Sequence, residues 1–186
     1  GSMISMALCP LLIKKLDERK AYILLSVYGF AASIFSFVIG HFWFQSPDNM
    51  VLTVLFYASL FLIGLQFGAV TLMPMIMTAD CVDYYEYETG KRREGAAYSI
   101  LTLTIKVCLA LGTAVGLIFV QVSGYYDALG AGTFTTKTKD IIFFAYTALP
   151  GVLALLSIFP MFKYDIVGEK KAQISAALSQ RRAGKE

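Results

Sequence analysis

The sequence predicts an all-α membrane protein: four complete transmembrane helices plus a truncated one. Three observations predict it. Hydrophobic residues fill 57% of the 186 positions and charged residues only 16%, where a soluble domain carries about 25% charge. Uncharged apolar stretches longer than a bilayer requires recur along the chain. Lysine and arginine collect in alternate connections between those stretches. With so few charges, water-facing helices could not be coated, so a bilayer is the solvent. At ~20 apolar residues per span plus loops, this length allows about four or five helices.

Each element follows in order. Gly1-Ser2-Met3 reads as an expression scar. Residues 4–13 are apolar over only ten positions, half a span. The run meets Lys14-Lys15-Leu16-Asp17-Glu18-Arg19-Lys20, so its charges follow the apolar stretch, unlike those of a signal peptide. It reads as the last turns of a spanning helix whose beginning is missing. Residues 21–44 form the first complete span, closed by the interfacial cluster His41-Phe42-Trp43-Phe44. Residues 50–78 form the second, with Gly64, Gly68 and Pro74, which membrane helices tolerate.

Residues 79–94 are the polar heart of the chain and read as a loop. Residues 95–123 form the third span, with one interior charge, Lys106. Residues 124–140 are a Gly/Thr-rich loop. Residues 141–162 form the fourth span, where Pro150-Gly151 predicts a kink. Residues 163–186 are a polar tail in which Ile166, Ile174, Ala177 and Leu178 suggest a weakly amphipathic helix.

Charge placement gives an orientation. The Lys14–Lys20 segment, the Lys91–Arg93 segment and the tail together hold thirteen Lys/Arg, against two in the connections on the opposite side. The positive-inside rule then places the C-terminus in the cytoplasm of a cell inner membrane, with the first two basic segments beside it. Net charge is +3, too small to imply nucleic acid. Three cysteines without CxxC spacing indicate neither a disulfide framework nor a zinc site.

Lys106 is the leading candidate for a functional role. It lies about 16 Å into its helix, near the bilayer midplane. A charge there costs at least ~2.5–3.5 kcal/mol on insertion scales and marks a functional site by default. The plainer reading is a lysine snorkelling to an interface. Thr102 precedes it by one turn on the same face. Together they suit a hydroxylated ligand or a carboxylate, although a threonine commonly bonds its own helix backbone. The acids of the 79–94 segment flank the spans and leave Lys106 without an in-membrane partner. Asp80 and Asp83, three residues apart, share a face if helical and could latch onto basic residues of another cytoplasmic loop. A solvated connector is the plainer reading. No carboxylate spacing there is diagnostic of a metal.

The remaining polar features read plainly. Gly112 and Gly116 form a GxxxG pattern that permits close packing. His41 is an outer-interface residue, and Gln66 an interhelical hydrogen-bonding amide. No catalytic constellation, cofactor motif or metal motif is present, so an enzyme is not expected.

From Met73 onward the text MPMIMTADCVDYYEYETGKRREGAAYSILTLTIKVCLALGTAVG resembles the glycoside–pentoside–hexuronide:cation symporters. These are the melibiose-permease-like branch of the major facilitator superfamily. The matching positions are Ala79-Asp80-x-x-Asp83-Tyr84-x-Glu86, Lys91-Arg92-Arg93, Glu94-x-x-Ala97-Tyr98-Ser99 and Lys106. PLLIKKLDERK is similar to the family's loop after its eighth helix, with Asp17-Glu18 in place of the usual glycine region.

The resemblance implies the C-terminal part of the major facilitator fold, from the end of helix eight through helix twelve. It implies that Lys106 and Thr102 line a sugar cavity. It also implies that Asp80, Asp83, Glu86, Arg92 and Glu94 belong to a gating and coupling loop. Where well-known members carry a cavity tryptophan, this chain has Thr71 or its neighbours. The implied ligand is a sugar or glycoside, co-transported with a proton or sodium ion and with no cofactor. The implied surroundings are membrane lipid and a missing N-terminal half, without which the chain is not expected to transport. The competing reading is a self-sufficient small membrane protein that dimerises through Gly112 and Gly116 as a scaffold or assembly factor.

Overall fold

A computed structural model describes residues 1–183, and Lys185 of the tail lies outside them. The order is α1 (Ser2–Gln45), α2 (Met50–Thr89), α3 (Glu94–Val122), α4 (Tyr125–Ala131), α5 (Thr136–Tyr146), α6 (Ala148–Leu156), α7 (Ile158–Met161) and α8 (Gly168–Ala183). No strand occurs among the described residues. Four helical stretches are long and apolar enough to cross a membrane: α1, α2, α3 and the α5–α7 run over Thr136–Met161.

Residues 4–13 and 21–44 fall on two helical halves of α1 that meet at Asp17, whose φ of 61° and ψ of 159° leave the helical region. The halves lie side by side on α2, where a Cβ on Gly1 would meet Leu65 and one on Gly29 would meet Gln66. One boundary differs from the sequence expectation for a local reason. The polar segment 79–94 is a loop only at its end. Polarity ends the membrane span but does not break helix hydrogen bonding, so α2 runs on to Thr89. It stops at Gly90, whose φ of 70° supplies the left-handed C-cap. The expected kink at Pro150-Gly151 is expressed one turn upstream. Pro150 has no N–H for the Tyr146 carbonyl, so α5 ends there and α6 restarts after Thr147 with Pro150 in its first turn. A second break falls at Ser157.

One face of α1 organises the bundle. Ser26, Gly29, Ser33, Ser36 and Gly40 recur at three- and four-residue spacing, and all are buried. Small residues let backbones approach, the usual contact of membrane helices. A Cβ on Gly29 would meet the Gln66 amide at 1.9 Å, and one on Gly40 would meet the Phe143 ring at 2.2 Å. Ser36 Oγ and Ser59 Oγ are hydrogen-bonded at 2.9 Å. Gly151 of α6 packs against Ser33, where a Cβ would lie 2.6 Å from the serine's own. Tyr22 donates to Ser157 Oγ at 2.8 Å. Gln66 is thus an interhelical packing amide.

At the end opposite the basic segments, His41 Nδ1 lies 2.8 Å from Asp140 Oδ2 and its Nε2 lies 2.8 Å from Gln45 Nε2. Trp43 stacks on Phe56 with ring centroids 4.5 Å apart. In contrast, α3 has no buried residue. A Cβ on Gly112 or Gly116 would meet nothing within 4 Å, so the GxxxG face packs on no described helix.

Candidate functional site

The polar residues collect in two places: the charged end of the bundle, and a strip along α3. At ~1.5 Å per residue the 40-residue α2 is about 60 Å long, twice a hydrocarbon core. Its last turns therefore project past the apolar zone and carry Asp80, Asp83 and Glu86 outward. The kink at Asp17 turns Glu18 toward them. From the other side comes α8, whose Ile174 and Leu178 pack with Ile166 against Tyr84 and Tyr164. Lys171 lies three and seven residues before those two apolar anchors, so the same helix face carries it inward.

Lys171 donates to Glu18 Oε1 at 2.5 Å and to Asp80 Oδ2 at 2.9 Å. Tyr164 donates to the same Asp80 oxygen at 3.1 Å. The Glu18 and Asp80 side chains are only 8% and 9% exposed, and Lys171 is 37% exposed. Two buried carboxylates thus share one ammonium. Burial disfavours the charge on Lys171, but its bonds to Asp80 and Glu18 outweigh that and hold its pKa above the ordinary value. Burial and the neighbouring Asp80 carboxylate push the Tyr164 phenol well up, so it stays a donor.

A second cluster lies further along the projecting helix. Arg92 reaches Glu86 at 2.9 Å, Asp83 at 3.3 Å, and Glu94. Bonds to Glu94 and then Glu86 hold its guanidinium still more firmly protonated. Arg182 of α8 also reaches Glu86 at 2.9 Å, and Arg181 donates to the Tyr87 carbonyl at 2.8 Å. Lys170 bonds Asp165 at 2.5 Å, which lowers that carboxyl's pKa and raises the lysine's. Two rows of contacts therefore strap α8 across the end of α2 and the Asp17 kink.

The five expected gating residues divide between these clusters. Asp80 belongs to the buried triad, and Asp83, Glu86, Arg92 and Glu94 to the exposed network. The bases that reach Asp80 and Asp83 from a distance come from the C-terminal helix rather than from the Lys14–Lys20 segment, which contributes an acid, Glu18. Sequence reasoning missed Glu18, Lys171 and Tyr164. The signal for Lys171 was present, since it stands in register with Ile174 and Leu178.

The second place is a groove of about 430 Å³ on α3, lined by Gly95, Tyr98, Ser99, Thr102, Leu103 and Lys106. The spacing 98, 99, 102 and 106 puts the polar members on one face. Ser99 and Thr102 donate to the backbone at Gly95 and Tyr98, at 2.6 and 2.8 Å. Their oxygens keep acceptor capacity. Lys106 is exposed and makes no ion pair among the described residues. Thr71 is not part of this groove. It is exposed on α2 and donates to the Phe67 carbonyl at 2.7 Å. Among the described residues, no cluster of His, Cys, Asp and Glu could hold a metal ion.

Four apolar helices with an acid–base strap at one end and a polar strip with a lone lysine describe a multi-pass membrane protein. Residues 1–168 match the family model described as MFS/sugar transport protein, and the chain belongs to that family. Its curated relatives include proteins named as a symporter and a carrier. The chain is 26% identical over 194 residues to an uncharacterized symporter, YjmB, of Bacillus subtilis (strain 168), covering 97% of this chain and 37% of that protein. It is 22% identical over 185 residues to the glucuronide carrier protein homolog of Escherichia coli (strain K12), covering 98% and 37%. It is 26% identical over 154 residues to an uncharacterized 29.9 kDa protein in the crtE 3'region of Pseudescherichia vulneris, covering 83% and 54%. The chain thus spans at most about half the length of these relatives. No solved structure matches it. The family is one of symporters, not of enzymes.

Proposed function

We propose that these 186 residues form the C-terminal wall of a transporter that moves a sugar or glycoside together with a cation, across a cell inner membrane and with the C-terminus in the cytoplasm. The observation that carries the reading is the strip Tyr98–Ser99–Thr102–Lys106. It places hydroxyl oxygens and one ammonium along a helix that the rest of the bundle leaves uncovered. A sugar presents donors and acceptors at matching intervals, and a midplane lysine is retained against its insertion cost only where something answers it. Transporters of this kind rock two halves around a midplane site. On this reading the chain supplies one wall and further helices supply the other. The α8 strap is then a cytoplasmic latch that holds α2 and the Asp17 kink together and is released when that end opens.

The test is uptake of a panel of glycosides by cells expressing the transporter that carries these residues, with Lys106→Met beside wild type. The expected result is loss or alteration of sugar uptake at unchanged membrane insertion. Normal transport kinetics in Lys106→Met would refute the assignment. So would cation-driven sugar uptake by the purified 186-residue chain alone in vesicles.

A further inference from the structure

The buried triad under α8 does not balance in charge. Glu18 of α1 and Asp80 of α2 are both buried, and Lys171 is the one ammonium that bonds them, at 2.5 and 2.8 Å. Two carboxylates against one ammonium leave the cluster one charge too negative where water reaches poorly. The neighbouring groups do not make up the difference. Tyr164 offers Asp80 only a neutral O–H, at 3.1 Å, and Cys81 adds no positive charge. Lys170 is taken up by Asp165, Arg182 by Glu86 and Asp83, and Arg92 by Asp83, Glu86 and Glu94. Arg19, beside Glu18, lies over the Phe162 ring instead, 6.0 Å from its centroid. Burial pushes the Asp80 carboxyl above its ordinary value. The bonds from Lys171 and Tyr164 only partly offset this, and the Glu18 charge adds to the rise.

We infer that Glu18 and Asp80 take up one proton between them while α8 is strapped down, which makes the strap a pH-sensitive closure that tightens as the pH falls. The proton brings the cluster to neutrality. One carboxyl becomes neutral, and the other keeps the ammonium to itself. When α8 lifts away, both carboxyls meet water, return toward the ordinary range near about 4, and release the proton. Linkage sets the direction. A carboxyl held higher in the strapped state adds stability that is complete below its ordinary value and is lost as the pH rises through the strapped one. Lys171 still bonds both acids above that point, so the strap loosens without falling open. The inference rests on the charge count under α8, and not on what the α3 strip binds or which cation accompanies a sugar.

The experiment is amide hydrogen exchange of α8 in the full chain in detergent, followed as the pH is lowered from neutral. Each rate is divided by the intrinsic amide rate at that pH. Opening of α8 should fall on acidification by up to about tenfold per pH unit, the limit for one proton. The fall should be lost in Asp80→Asn and in Glu18→Gln, each of which leaves one carboxylate for one ammonium. Other groups cannot imitate it. Asp165 and Glu86 also anchor α8, but their basic partners hold them below the ordinary carboxylate value. Protonating them would loosen α8, and only at more acid pH. His41, the one histidine, lies at the opposite end of the bundle. Opening that ignores pH, loosening on acidification, or tightening that persists in either variant would overturn the inference.

Discussion

Replacing Lys171 with methionine keeps the side-chain stem and removes the one cation that bonds Glu18 and Asp80 among the described residues. At 2.5 and 2.8 Å each contact is worth roughly 6 kcal/mol by Coulomb's law at an effective dielectric of about 20. Most of that offsets the desolvation of the three groups. Removing one partner of a buried pair costs about 3–5 kcal/mol, because the carboxylates stay buried without compensation. Lys171 is more than a third exposed, so solvent screening places the loss at the lower end, about 3 kcal/mol. Glu18 and Asp80 lie on α1 and α2, so the loss appears as detachment of α8 rather than as unfolding of the bundle. Amide hydrogen exchange of α8, read by mass spectrometry in detergent, should accelerate by roughly 150-fold, the equivalent of ~3 kcal/mol. The charge count gives a control. Glu18→Gln leaves one carboxylate facing one ammonium, so α8 exchange should change by no more than a few-fold. Unchanged exchange in Lys171→Met, or equal loosening by Glu18→Gln, would refute the reasoning.

Two further outcomes follow from backbone and packing. Asp17 holds a positive φ that costs a non-glycine residue about 1–3 kcal/mol. Asp17→Gly should therefore raise the thermal midpoint in detergent by a few degrees, after about 0.5–1 kcal/mol of glycine's added chain entropy is offset; a lowered midpoint would contradict the strain. Gly40→Ala forces a Cβ onto Phe143, which is packed among Phe37, Phe44 and Phe56. It should cost about 1–3 kcal/mol and several degrees of midpoint, while Gly112→Ala, which meets open space in the middle of α3, should not lower the midpoint and gains about 0.5–1 kcal/mol of helix propensity. Equal effects of the two would show that the contact is not the cause.

Much of the site was legible because its clues are local. Lys106 announces itself by standing alone in an apolar run, and Thr102 by lying one turn away. Asp80 and Asp83 were readable as a pair because a helix fixes residues three apart on one face. Their partners were not readable. Lys171 reaches Asp80 across 91 residues of sequence and Glu18 across 153, and no spacing rule connects such positions. The end of α2 was misplaced for a different reason. Tyr84, Glu86 and Glu88 signal the edge of the apolar zone, yet tyrosine and glutamate are acceptable in a helix, so only Gly90 could stop it.

By itself, the sequence determined that this is a helical membrane protein with its basic residues gathered at one end. Hydropathy and charge act position by position, so no knowledge of the fold was needed. Only the tertiary structure decided how α8 is used. Its landing on Tyr84 and Tyr164 converts a polar tail into a strap, bringing one ammonium to two carboxylates from separate helices. Only the backbone at Asp17, a single residue outside helical geometry, brings Glu18 within reach of Lys171. Both depend on where one helix lies against another, which packing fixes and linear order does not.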